Sequence, residues 1–237
     1  MMKRLLLLPA LLLMFTAAGR AADLWKAKQV KEWSREETQH FLRSSPWVRQ
    51  VTTGSLIDSE APIGSTETTE GRRESSGAEQ APSTETVDVE RGEGRLVYFV
   101  EWSSAQIVRQ ANLHYRVLLG QAKGEEKEPP VVQTYVLTVH GVSLRAFATV
   151  TDAEVKGGAS LRLKQSHAQI GAVDARIAKA KDGRVVAVQF AFPREVNGQP
   201  TISDQEKSVE FVCKAGDLTL KADFNLAKMT TGQGRDL

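Results

Sequence analysis

The chain has 237 residues, 25% of them charged, with a net charge of +2 and a single cysteine. One cysteine cannot close an internal disulfide, so disulfide-rich secreted scaffolds are excluded and the fold must rest on an apolar core. The cations are spread along the chain without an aromatic-interleaved cluster, which leaves no footprint for nucleic acid.

Residues 1–22 join two cations, Lys3 and Arg4, to an apolar run from Leu5 to Phe15 and a small-residue stretch from Thr16 to Ala22. The run is about half of the roughly 20 residues a spanning helix needs, so the segment reads as a secretory signal peptide cut after Ala21 or Ala22. No cysteine follows it, which argues against a lipid anchor, and no transmembrane segment is expected in the mature chain. About 215 residues remain, enough for one main domain.

Residues 23–57 are expected to form an N-terminal helical arm and strand. Ser34 can cap a helix, and Glu37, three residues on, can reach back to the cap's amide. Glu36 and Glu37 suit the positive helix end, and Pro46 forbids continuation past about Ser44. Trp33, Phe41 and Trp47 are then candidates for one apolar cluster, and Val48–Ile57 is weakly strand-like.

Residues 58–93 hold ten Asp or Glu against three Arg, a balance of −7, with Ile63, Val87 and Val89 their only branched aliphatics. Such a segment cannot bury enough apolar surface to offset chain entropy and is expected to be a disordered acidic insert.

Residues 94–237 are expected to form the main domain. From Arg95 onward, Leu96, Tyr98, Val100 and Trp102 share one face of an extended chain and Val97 and Phe99 the other, the pattern of a strand inside a sheet. Ser103 and Gln106 suggest a second capping box, opening a helix from about Ser104 to Leu119 that Gly120 stops. Leu113, Tyr115, Val117 and Leu119 also alternate like a strand. Val131–His140 reads as another inner strand. A short helix capped by Asp152 and a brief strand at Leu161–Leu163 follow.

Asp182-Gly183 predicts a two-residue hairpin turn. Its register places Val173 opposite Phe192, Ala175 opposite Phe190 and Ile177 opposite Val188, so apolar residues meet on one face. Pro193 ends the second arm. In a further hairpin, Val209, Phe211 and Cys213 alternate on one arm, and Leu218, Leu220, Ala222, Phe224 and Leu226 on the other, around Ala215-Gly216. The sum is an α+β class, a mainly antiparallel meandering sheet with two or three helices; an all-β sandwich is the alternative.

Several strings together, Trp33-Ser34-x-Glu36-Glu37 with Ser45-Pro46-Trp47, Glu101-Trp102-Ser103-Ser104-Ala105, Phe190-x-Phe192-Pro193-Arg194 and Val209-Glu210-Phe211, resemble a group of exported bacterial proteins of acidobacterial type. The resemblance covers most of the mature chain outside 58–93. It implies bacterial export and a shared fold; no activity is attached to that group, so no site residue is carried over.

The chemistry-bearing motifs are sparse. His40, His114, His140 and His167 form no His-x-His or His-Glu-x-x-His spacing, and surface or strand-edge places are expected for them. No Gly-x-Ser-x-Gly elbow or phosphate-cradling glycine loop occurs. Cys213 is in phase with buried residues, where desolvation makes a thiol a poor nucleophile. Glu101, between Val100 and Trp102, should pair with a cation or sit at a sheet end, with Arg109 and Arg194 as possible partners. Trp33, Trp47 and Trp102 can stack a sugar, although core packing is the commoner use of a lone tryptophan. No catalytic, cofactor-binding or metal residue is therefore assigned. The expectation is an exported, periplasmic or extracellular, non-catalytic envelope protein acting through protein or surface contacts. A secreted hydrolase or carbohydrate-binding protein, its site assembled from distant residues, is the alternative.

Overall fold

A computed structural model describes residues 24–53, 96–122, 130 and 132–237. The expected signal peptide at 1–22 and the acidic insert at 58–93 lie outside the described residues.

After a single turn, α1 (Leu24–Ala27), the chain enters α2 (Arg35–Ser44) through the expected capping box. Ser34 Oγ accepts from the Glu37 amide at 3.1 Å, and Glu37 Oε2 accepts from the Ser34 amide at 2.8 Å. Beyond Pro46 the chain straightens into β1 (Val48–Thr53). Trp33, Phe41 and Trp47 do form one cluster, and Trp25 joins it edge-on, 5.8 Å from Phe41 and 5.4 Å from Trp47.

β2 (Leu96–Glu101) pairs with β1 on one side and β3 (Thr134–Gly141) on the other, the inner place that its two apolar faces call for. Between them runs α3 (Gln106–Leu118), ended by Gly120 at φ +67°. The helical reading of 104–119 holds, but its capping box does not. Ala105 stands at the cap without a side-chain bond, and the carboxylate of Asp236 takes its place, accepting from the Gln106 and Ile107 amides at 2.7 and 2.8 Å. Ser103 is drawn away by partners on the sheet.

The middle of the chain supplies α4 (Asp152–Gly157), β4 (Ala159–Leu163) and β5 (Gln169–Gly171). The short helix and brief strand are where they were expected, with a different cap: Thr151, boxed with Glu154, opens α4, while Asp152 Oδ1 accepts from the Ile177 amide at 2.9 Å.

The first hairpin joins β6 (Asp174–Lys179) to β7 (Val185–Pro193). Ala175 faces Phe190 and Ile177 faces Val188, as expected, yet the turn is not the two-residue type. Ala180 and Arg184 close a three-residue loop with Gly183 at φ +82°, and the register shifts by one near Ala178/Lys179, so the inner pairing is kept. Val173 falls outside β6 and is half exposed, so the expected Val173–Phe192 pair does not form. After the two-residue strands β8 (Glu195–Val196) and β9 (Gln199–Pro200), the second hairpin pairs β10 (Ser208–Ala215) with β11 (Leu218–Asn225) about Gly216, and β12 (Thr230–Thr231) with β13 (Gly234–Arg235) ends the described chain.

Two large antiparallel sheets result, in the orders β1-β2-β3-β7-β6 and β11-β10-β4-β5, beside the two-stranded pairs β8-β9 and β12-β13. Their apolar faces meet: Phe190 and Phe192 of one pack on Phe211 of the other at 5.3 and 6.3 Å, and Trp102 packs edge-on against Phe224 at 5.3 Å. Burial of these rings, each worth roughly 1.5–3 kcal/mol, adds to that of the surrounding aliphatic core in stabilising a chain without a disulfide. The sheets face each other as an all-β sandwich would, but α2 and α3 pack on one another and α4 packs on β6, so the class is α+β with an antiparallel framework.

Candidate functional site

Strand alternation leaves the five-stranded sheet a second, outer face. Because Val100, Val139 and Val188 point inward, their neighbours point out, and the register sets Val48, Glu101, Thr138, Gln189 and Arg176 in one cross-strand line. One step along β2 and β3, Phe99 and His140 stand directly opposite each other with their rings stacked, 5.5 Å between centroids and 16° between planes. Gln189 and Arg176 are exposed, while Phe99, Thr138 and His140 are half-buried.

Glu101, only 8% exposed, is the chemical centre of this line. Oε1 accepts from Ser103 Oγ at 2.9 Å and from Asn112 Nδ2, on α3, at 3.3 Å. Ser103 Oγ also lies 2.6 Å from Thr138 Oγ1; with one hydroxyl proton, it donates to one neighbour and accepts from the other. Among the described residues Oε2 has no hydrogen-bond partner. It is not one of the sealed, unpartnered atoms, which are Ser45 Oγ, Trp102 Nε1 and Ser104 Oγ, so it keeps contact with the surface. Burial pushes the Glu101 carboxyl above its usual range, against the opposing pull of the Ser103 and Asn112 hydrogen bonds. Burial moves His140 the other way, below the ordinary imidazole value. Both shifts favour the uncharged form.

The expected partners of Glu101 are elsewhere. Arg109 donates to Pro130 O, and Arg194 donates to Val132 O and Leu237 O with its guanidinium 4.5 Å over the Tyr135 ring. Two neutral donors replace the expected cation because Ser103 and Asn112 reach Oε1 from the turn after β2 and from α3. Trp33, Trp47 and Trp102 are 2%, 0% and 0% exposed, so none can stack a sugar. Cys213 is buried, with its thiol pushed up to about 12 by desolvation.

Two of the four histidines depart from the surface or strand-edge places expected of them. His40 and His167 are exposed, but His114 is buried with Nε2 2.9 Å from Trp33 O, and His140 lies on an inner strand.

Two carboxylates were not singled out in the sequence. Asp236 caps α3, and Glu206, 1% exposed, accepts from the Gln165 and Ser166 amides and from Ser166 Oγ. No local spacing announces either, since their partners lie 40 or more positions away. A groove of about 1060 Å³ runs between residues 25–31, the first turns of α3 and 231–236. Three of its charged groups serve the fold: Arg235 donates to Ser203 O, Asp204 O and Glu206 O, Lys28 pairs with Glu37, and Asp236 is the cap.

Among the described residues no group of three or more His, Cys, Asp or Glu is placed to hold a metal ion, and no helix is long and apolar enough to cross a membrane. No protein-family model, characterised protein or solved structure matches the chain.

Proposed function

We propose that the chain is an exported bacterial envelope protein that acts by binding, without catalysis, through the outer face of its five-stranded sheet. The polar line at Glu101 carries this reading. The line runs from buried Val48 and Glu101 through half-buried Thr138 to exposed Gln189 and Arg176, which suits contact with a ligand or partner at its open end, and it holds one carboxyl where glycoside hydrolysis by the usual route uses two. The charged start and short apolar run at 1–22 support export to the periplasm or beyond, and the likeness to exported acidobacterial proteins agrees with it. The partner belongs to the same compartment, a protein or another envelope component, and no cofactor is required.

A second reading, a secreted hydrolase, draws support from Glu101 and His140. They lie diagonally on one sheet face with their proton affinities moved in opposite directions, an arrangement that can serve as an acid and a base. Screening the purified protein against ester, glycoside, peptide and phosphate substrates, alongside Glu101→Gln and His140→Ala, separates the two. The binding reading expects no turnover. Turnover that disappears in either variant, with the melting temperature unchanged, overturns it in favour of the hydrolase. Mass spectrometry of the exported product tests the other half: a mature chain that retains Leu5–Phe15 refutes export.

A further inference from the structure

We infer that the outer face at Glu101, Thr138 and Gln189 is a binding site for a neutral saccharide; the inference rests on the binding reading above and names its ligand class. The groups in and beside the line are Glu101, Ser103, Thr138, Gln189 and Asn112, hydroxyl, amide and carboxyl side chains suited to hydrogen-bond exchange with a ligand rich in hydroxyls. The only cation in the line, Arg176, sits at its far end 3.6 Å from Asp174, so the face offers no uncompensated positive charge to a phosphate or an acidic peptide.

The Glu101 carboxyl supplies the second observation. It is more than nine-tenths buried, one oxygen is held by two donors, and the other, among the described residues, has no hydrogen-bond partner and is not sealed from the surface. Two donors on Oε1 direct the proton to Oε2, so the protonated acid keeps an O–H that no described residue accepts. Its raised proton affinity agrees with that arrangement. The Phe99–His140 stack next to it adds an apolar rim of the kind a sugar's C–H face packs against. From Glu101 to Arg176 the line crosses three strand spacings, about 14 Å, which suits an oligosaccharide better than a single ring.

The experiment titrates isotope-labelled protein with cellotriose, chitotriose and maltotriose, and screens a neutral glycan array, at mildly acidic and at alkaline pH. At least one glycan is expected to shift the amides of Phe99–Glu101 and Thr138–His140, more strongly at the acidic pH, where Glu101 carries its proton. Glu101→Ala should weaken binding about tenfold, the worth of one good hydrogen bond to the ligand. Glu101→Gln should still bind but lose the pH dependence. Gln189→Ala, exposed and remote from the core, gives a test free of folding effects and should weaken binding about threefold. The inference fails if no glycan perturbs this face, if shifts fall only elsewhere, or if Gln189→Ala and a fully folded Glu101→Ala both bind as the parent does. A glycan that binds here and is cleaved would keep the inference and refute the non-catalytic reading. A protein partner crosslinked to this face, with no glycan bound, would do the reverse.

Discussion

The two long helices receive the same physical service from opposite directions. At α2 the free amides are met by Ser34, and the returning bond comes from Glu37, all within one turn of chain. At α3 the amides of Gln106 and Ile107 are met by Asp236, 130 positions from Gln106. A negative carboxylate suits the positive end of a helix in either case. The difference lies in what must already be folded: α2 can be capped as soon as it forms, whereas the cap of α3 depends on β10, β11 and the segment after them being in place. Local and remote caps thus divide the helical layer into an autonomous part and a dependent one.

Trp47 stands where the two parts join, its ring against Phe41 of α2 and its Nε1 donating to Asp236 O at 2.7 Å. Trp47→Ala is expected to cost about 3–5 kcal/mol in chemical denaturation, the largest single effect, because it opens a cavity and releases the segment that caps α3. A loss under about 1 kcal/mol would mean the two parts are not joined there. Asp236→Ala comes next, at about 1–2 kcal/mol, with Asp236→Asn losing less because it keeps one acceptor. Measured with Trp47→Ala in a double-mutant cycle, Asp236→Ala should depart from additivity by at least about 0.5 kcal/mol. Ser34→Ala should cost about 1 kcal/mol and add simply to Asp236→Ala. Strong coupling between Ser34 and Asp236 would erase the distinction between the two caps.

The smallest effect concerns the contact of α3 with β2, Asn112 to Glu101. With its folded proton affinity raised, Glu101 contributes stability at acidic pH that is lost as pH rises from the ordinary carboxylate range through the raised value. Glu101→Gln cannot ionise, so its melting temperature should equal or exceed that of the parent at alkaline pH, while the two converge in acid. A parent curve flat across that range would contradict the raised affinity.

The same local–remote division explains how far the sequence could be read. The Ser34 box, the inner placement of β2, the Ala175–Phe190 and Ile177–Val188 pairs and the burial of Cys213 rest on periodicity or spacing within a hairpin or a turn, and these were legible. The two-residue turn at Asp182-Gly183 was a near miss: the glycine does take a positive φ, but a longer loop and a compensating bulge reach the same inner register. The cap of α3 was misassigned because Ser103 satisfies a local rule while Glu101 and Thr138 compete for its hydroxyl. At the candidate site, burial of Glu101 could be anticipated from Val100 and Trp102, but its bond to Asn112 could not, nor the bond of its neighbour Ser103 to Thr138, since both form only when α3 and β3 are assembled. His140 and Phe99 become neighbours only through the β2–β3 register.

One feature of the sheet reaches beyond the single molecule. As the outermost strand, β6 would turn amides towards solvent, yet Ile177 donates to Asp152 Oδ1 and Ala175 to Asp174 Oδ1, each at 2.9 Å. Two aspartates therefore occupy donors that an incoming strand of another molecule would need. The β6 margin of the sheet is thereby guarded against addition of further chains, a form of colloidal protection supplied by side chains rather than by covalent links. For a chain with one thiol, itself buried, that protection travels with the fold and is indifferent to the redox state of the surroundings.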